Sequence, residues 1–201
     1  MPTSRPATLI LASGSRARRQ MLEAAGLVFA VRPADVDEDA IRATLGDAAP
    51  GHVAAVLARA KAEAVSRGSP DAIVVGSDQV LALGRTVYTK APDIAAAHAA
   101  LRSLAGRRHH LHSAVCIAIG GTQVWHHLDT AALTMRDFSD AFLDDYLSQV
   151  GNRVCASVGC YELEGLGVNL FERIEGDYFT ILGMPLLQLL TELRARGVIS
   201  T

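Results

Sequence analysis

Apolar residues in this chain fall into two kinds of pattern, short unbroken blocks and stripes three or four residues apart. Thr8-Leu-Ile-Leu-Ala12 is a block followed at once by Ser-Gly-Ser, as in a buried strand feeding a turn. Met21, Leu22 and Ala25 then recur at helical spacing, with Gly26 as the stop. A second strand is expected over Val28 to Arg32, ended by Pro33. Val53, Val56, Leu57, Ala60 and Ala64 form a helical stripe closed by Gly68 and Pro70. Ala72 to Val75 reads as a buried strand, with Gly76-Ser77-Asp78 capping its carboxyl end. Gly84-Arg85-Thr86 predicts a hairpin turn between Val80 to Leu83 and Val87 to Thr89, and Gly120-Gly121 predicts another between His112 to Ile119 and Gln123 to Thr134. Helices are expected over Asp93 to Leu104, over Ser139 to Gln149 with Ser139 as N-cap, and after Pro185 along Leu186, Leu189, Leu190 and Leu193. Helices mixed with hairpins predict an α/β or α+β fold on a mixed sheet. No repeat or low-complexity linker divides the 201 residues, so a single domain over 1–201 is expected.

Composition narrows the function more than the fold. Lys plus Arg number 19 against 21 Asp plus Glu, which argues against a strongly basic nucleic-acid binder. Aromatic residues make up 5%, too few for a base-stacking platform along single-stranded nucleic acid. Cys116, Cys155 and Cys160 make an odd count without a CxxC pair, which fits a reducing, cytoplasmic setting better than a disulfide framework. No apolar run is long enough to span a membrane.

Three short constellations carry candidate chemistry. Ser13-Gly14-Ser15-Arg16-Ala17-Arg18-Arg19 lies at an expected strand-to-helix junction. Its serines and glycine can present backbone N–H groups to an anion, or Ser can simply cap the helix beside solvated arginines. Cations in a first turn oppose the helix dipole unless an anion reverses the sign, so Arg18→Ala and Arg19→Ala are both expected to leave the unliganded fold no less stable. Asp78, placed at a strand's carboxyl end, can hold a divalent cation or take a proton from water, or it is a turn aspartate. Asp35-Val-Asp37-Glu38-Asp39 can add oxygens for a hard cation, or it starts a helix. Lys61 and Lys90 are single lysines able to neutralise phosphate. His109, His110, His112, His126 and His127 lack the acidic or Cys partners that a metal site would need.

Together these segments resemble the Maf family of nucleoside triphosphate pyrophosphatases. Leu9 to Arg19 looks like the family's opening LILASxSxxRR, and Val36-Asp37-Glu38 looks like its acidic loop. Arg59-Ala-Lys61-Ala62 is similar to its helical KA pair, Gly76-Ser-Asp78-Gln79-Val80 to its central motif, and Lys90 with the helix to Gly106 to the block that follows. Glu164-Gly165-Leu-Gly167 and Gly176-Asp-Tyr-Phe-Thr-Ile-Leu-Gly183-Met-Pro185 are similar to the closing pair. The resemblance implies a two-lobed α/β fold around an elongated mixed sheet with a central cleft, like that of inosine triphosphate pyrophosphatases, and frequent homodimers. It implies metal-dependent (Mg²⁺ or Mn²⁺) release of pyrophosphate from a nucleoside triphosphate. Asp78 would then be the proton acceptor and, with Glu38, a metal contact, while Ser13, Arg18, Arg19, Lys61 and Lys90 would hold phosphates. Ala17, Gln79 and Glu164 occupy the positions that sort substrate. Gln79 and Glu164 are similar to the 7-methyl-GTP branch, and Ala17 stands where that branch has Trp. Lys90-Ala91-Pro92 also replaces a contiguous Lys-Pro. The rival reading is a non-catalytic nucleotide- or partner-binding regulator of cell division, in which the same residues only hold a ligand.

Overall fold

Seven strands form a single mixed sheet in the computed structural model, which describes residues 8–200. The strands are β1 (Leu9–Leu11), β2 (Ala30–Val31), β3 (Ile73–Leu83), β4 (Thr86–Tyr88), β5 (Arg108–Ile119), β6 (Thr122–Met135) and β7 (Phe171–Glu175). Their order is β2-β1-β3-β5-β6-β7, with β4 also paired to β3. β1 runs parallel to β2 and β3, and the remaining pairs are antiparallel. The helices are α1 (Arg16–Ala24), α2 (Glu38–Leu45), α3 (Pro50–Arg67), α4 (Ile94–Leu104), α5 (Asp140–Val150), α6 (Tyr178–Ile181) and α7 (Leu186–Ala195). This is the mixed sheet that the pattern predicts, in the α/β class that the resemblance implies. No helix among the described residues is long and apolar enough to cross a membrane.

Two sequence expectations change. The strand expected over Val28 to Arg32 shrinks to Ala30–Val31. Its partner β1 has only three residues, the register runs Ile10↔Ala30 and Leu11↔Val31, and Val28 is left facing solvent. More consequentially, Asp78 does not sit at a strand end. β3 continues unbroken for 11 residues because β5 pairs with it from Val74↔Ala118 to Ala82↔His110, straight through Gly76-Ser77-Asp78. Long-range pairing overrides the local turn preference of these residues.

On the other edge, β3 is only partly covered. β1 accompanies it as far as Leu11↔Val75, and β4 joins at Leu81↔Tyr88. Between them the edge of Gly76 to Val80 is open. The strand's two-residue alternation then divides its side chains. Ile73 and Val75 enter one apolar core with Leu22, Leu186 and Leu189, while Leu81 enters a second with Leu101, Leu111 and Leu133. Ser77 and Gln79 share that face and fall between the two cores. Gly76, Asp78 and Val80 face the other way, and Val80 packs in a third cluster with Val53, Leu57 and Ala62 of α3.

Gly76 sets how closely α3 approaches. A Cβ at this position would lie 2.7 Å from the Ala62 amide nitrogen and closer still to the Ala58 carbonyl oxygen, both of them helix backbone. Gly76→Ala is therefore expected to destabilise the fold by about 1–3 kcal/mol, because α3 must shift as a unit. Urea unfolding at neutral pH measures it. An unchanged midpoint would show that α3 is not seated on β3 at this point.

Candidate active site

Close seating of α3 brings Lys61 over β3, where it meets two carboxylates. Lys61 Nζ lies 2.7 Å from Asp78 Oδ1 and 2.7 Å from Glu38 Oε1. Asp37, whose side chain accepts from the Ala40 amide at 2.8 Å, caps α2 and places Glu38 in its first turn. Arg42, one turn on, donates to Glu38 Oε2 at 3.1 Å. Burial pushes the Glu38 carboxyl up, but hydrogen bonds and charge from Lys61 and Arg42 outweigh it and hold the group below its ordinary value. Of the acidic stretch, Glu38 alone reaches the lysine, and Asp37 serves as a cap.

Asp78 is buried, and its Oδ2 has no hydrogen-bond partner among the described residues. A buried carboxylate oxygen left without a partner is costly unless a ligand, water or ion meets it. No group of three or more His, Cys, Asp or Glu that could cage a metal exists among the described residues. One or two carboxylates suit a hard ion that takes its remaining oxygens from elsewhere better than they suit an all-protein cage.

Arg18 lies across the open edge of β3. Its Nε donates to the Gly183 carbonyl at 3.0 Å, and its Nη1 donates to the Ser77 carbonyl at 2.9 Å and to Ser13 Oγ at 3.2 Å. Gly183, at φ 110, follows α6 in a conformation that side chains rarely adopt, and its carbonyl also accepts from Ser77 Oγ at 3.0 Å. Burial pulls the guanidinium below its usual range, while the charges of Asp78 and Glu38 act the other way. The Arg18 Nη2 group makes no hydrogen bond among the described residues, and is the part of the side chain left to meet an anion.

The predicted site residues thus divide. Arg18 bonds Ser13, Lys61 bonds Glu38 and Asp78, and the charges of these two carboxylates act on Arg18, so the five residues gather about the Gly76 to Val80 stretch of β3. Arg19 stays outside, exposed and paired with Glu23 at 2.7 Å. Lys90, just beyond β4, is exposed and makes no ion pair or side-chain hydrogen bond among the described residues. Ala17 and Glu164 line one cleft of about 410 Å³ with Met21, Tyr178, Phe179 and Leu182. Gln79 does not line it. Its Nε2 donates to Ser113 Oγ at 2.9 Å and to the Thr180 and Ile181 carbonyls at 3.1 and 3.0 Å. The histidines lie apart from this site: His109 is buried against the Tyr161 hydroxyl at 2.8 Å, and His112 meets Thr130 at 3.0 Å. Sequence reasoning misses Arg42, Ser113, Thr180 and Tyr178. Of these, only Tyr178 and Thr180 had a signal, the block Gly176 to Pro185.

The structure removes the reason for expecting that neither arginine supports the bare fold, because Arg18 is bonded into it. Removing Arg18 leaves the Ser77 carbonyl without a cation that spans a gap in the sheet. Arg18→Ala is expected to destabilise the unliganded protein by about 2–4 kcal/mol, and Arg19→Ala by less than about 0.5 kcal/mol. Denaturant unfolding of the two variants makes the comparison, and equal effects would contradict it.

Known proteins extend this geometry. Residues 8–196 match the Maf-like protein family. A 7-methyl-GTP pyrophosphatase of Rhizobium etli is 51% identical over 193 residues, covering 95% of this chain and 97% of that protein. A nucleoside triphosphate pyrophosphatase of Granulibacter bethesdensis is 52% identical over 188 residues, covering 92% and 95%. A further nucleoside triphosphate pyrophosphatase, from Rhodopseudomonas palustris, is 48% identical over 195 residues, covering 97% and 96%. With likeness at this level along nearly its whole length, the chain belongs to the Maf-like protein family.

Proposed function

We propose that this protein is a nucleoside triphosphate pyrophosphatase that releases a nucleoside monophosphate and pyrophosphate. The observation that carries the reading is the buried, unpartnered Oδ2 of Asp78, a carboxylate whose other oxygen Lys61 holds and whose charge acts on Arg18. The enzyme names of the relatives support catalysis over a purely binding role.

In this reading the triphosphate lies along the gap in the sheet. Arg18 Nη2, Ser13 and Lys61 meet its oxygens, with Arg19 and Lys90 as outer cations that swing in from solvent. Glu38 and Asp78 would hold a divalent cation, which when bound neutralises phosphate charge and polarises the reacting phosphorus. Asp78 takes a proton from a water as the water oxygen bonds to the α phosphorus. The bond from that phosphorus to the α–β bridging oxygen breaks, and pyrophosphate leaves with its electron pair. Lys61 holds Asp78 Oδ1 at 2.7 Å, which leaves Oδ2 to face the water.

The cleft at Ala17 and Glu164 takes the base. Its walls are chiefly apolar, and Glu164 brings the one charge to its lining. A carboxylate accepts the two donors on guanine's Watson–Crick edge and repels the oxygens of uracil and thymine. A small residue at position 17 leaves room beside it. A guanine-type triphosphate, 7-methylated or plain, is the substrate class this chemistry fits.

Two expected outcomes test the proposal. Asp78→Asn should cut kcat for pyrophosphate release to below about a tenth of wild type, a loss of more than ~1.4 kcal/mol, with the fold retained because Glu38 still pairs Lys61. Retention of more than that removes Asp78 from proton transfer. Glu164→Gln should lower kcat/KM for GTP and 7-methyl-GTP relative to UTP and dTTP by about tenfold, since a polar group that a bound base covers and leaves unmatched costs about 1–3 kcal/mol. An unchanged ratio in a competition assay would place Glu164 away from the base.

A further inference from the structure

One wall of the cleft is α6 and the residue after it, which supply Tyr178, Phe179 and Leu182. A helix of four residues has little stability of its own, so its position depends on what grips it. The carbonyls of its last two residues are held from the sheet. The Thr180 carbonyl accepts from Ser113 Oγ at 2.7 Å and from Gln79 Nε2 at 3.1 Å, and the Ile181 carbonyl accepts from Gln79 Nε2 at 3.0 Å. The Thr180 hydroxyl donates to Asp129 Oδ2 at 2.9 Å. Asp129 and Ser113 are register partners on β6 and β5, so the grip comes from three adjacent strands.

Gln79 is the member of this grip next in sequence to Asp78. Its amide nitrogen has two hydrogens and three acceptors within 3.1 Å, so it has nothing left to donate to a base. We propose that Ser113 governs base preference as a positioning residue: with the Gln79 amide nitrogen it fixes α6, and thereby the Tyr178 wall of the cleft, without touching the base. This rests on the assignment of the cleft to the base of a triphosphate. The Gln79 side chain ties that wall to the strand that carries Asp78.

Ser113 makes the proposal testable, because it is fully buried and cannot meet a ligand, yet it holds the same carbonyl. Gln79→Leu and Ser113→Ala are compared with wild type for binding of the α,β-methylene analogues of GTP and UTP, and of inorganic tripolyphosphate, by calorimetry. The methylene group removes any need for turnover. Each variant is expected to narrow the GTP-to-UTP affinity ratio at least threefold, on the order of one lost hydrogen bond. Ser113→Ala should leave tripolyphosphate affinity unchanged, since that ligand has no base. If Gln79→Leu fails to fold, Ser113→Ala carries the test alone. A ratio moved by Gln79→Leu and not by Ser113→Ala means that Gln79 reads the base directly, which overturns the proposal. A ratio moved by neither, a wild type without preference, or an equal loss for tripolyphosphate also overturns it. A wild type that binds none of the nucleotide analogues defeats the pyrophosphatase reading itself.

Discussion

β3 has to run straight through Gly76 to Gln79 while one of its edges is left open, and the site depends on that constraint. β5 supplies an unbroken ladder on one side. On the other side β1 stops at Val75 and β4 begins at Leu81. An exposed run of strand edge inside a fold leaves polar backbone without partners. Here the Arg18 guanidinium takes the Ser77 carbonyl at 2.9 Å, so a cation becomes part of the sheet's hydrogen bonding. The strand's alternation then sends Asp78 toward α3 and sends Ser77 and Gln79 toward α6. One short stretch thereby addresses Lys61 on one face and the α6 wall of the cleft on the other.

The electrostatics follow from this geometry. Two cations from different helices approach the strand, Arg18 from α1 and Lys61 from α3, and the carboxylates of Asp78 and Glu38 pair with Lys61 and act on Arg18 through their charge. Arg18 is pulled below its usual range by burial, and the nearby carboxylates counter that pull. Such a cluster is costly to hold if any member loses its partner. The unpartnered oxygen of Asp78 is where the cluster is incomplete, and a polyphosphate with its cation would complete it.

Much of this was legible in the sequence, for identifiable reasons. The 3.6-residue stripes of α3 and α7 and the Gly120-Gly121 hairpin are strong local signals, and the structure has these elements within a few residues of the expected ends. Glycine 76 followed by Ser and Asp reads locally as a turn. Only the pairing with β5, about 40 positions on, makes it mid-strand, and no local window contains that information. Arg18 looked like a solvated or ligand-bound cation because a first-turn arginine gives no sign that a carbonyl 165 residues away will accept from it. The grouping of Ser13, Glu38, Lys61 and Asp78 came from the family resemblance, and geometry adds which atoms touch. The resemblance makes Gln79 a specificity position, and its bonds to α6 change how it would act.

Site of water attack is the most direct test of the account. Hydrolysis of GTP in water labelled with heavy oxygen, followed by mass analysis of both products, reports which phosphorus was attacked. With Asp78 directing water at the α phosphorus, the label should appear in the monophosphate and be absent from pyrophosphate. Label in pyrophosphate would mean attack at the β phosphorus, and would contradict the placement of the triphosphate along the gap in the sheet.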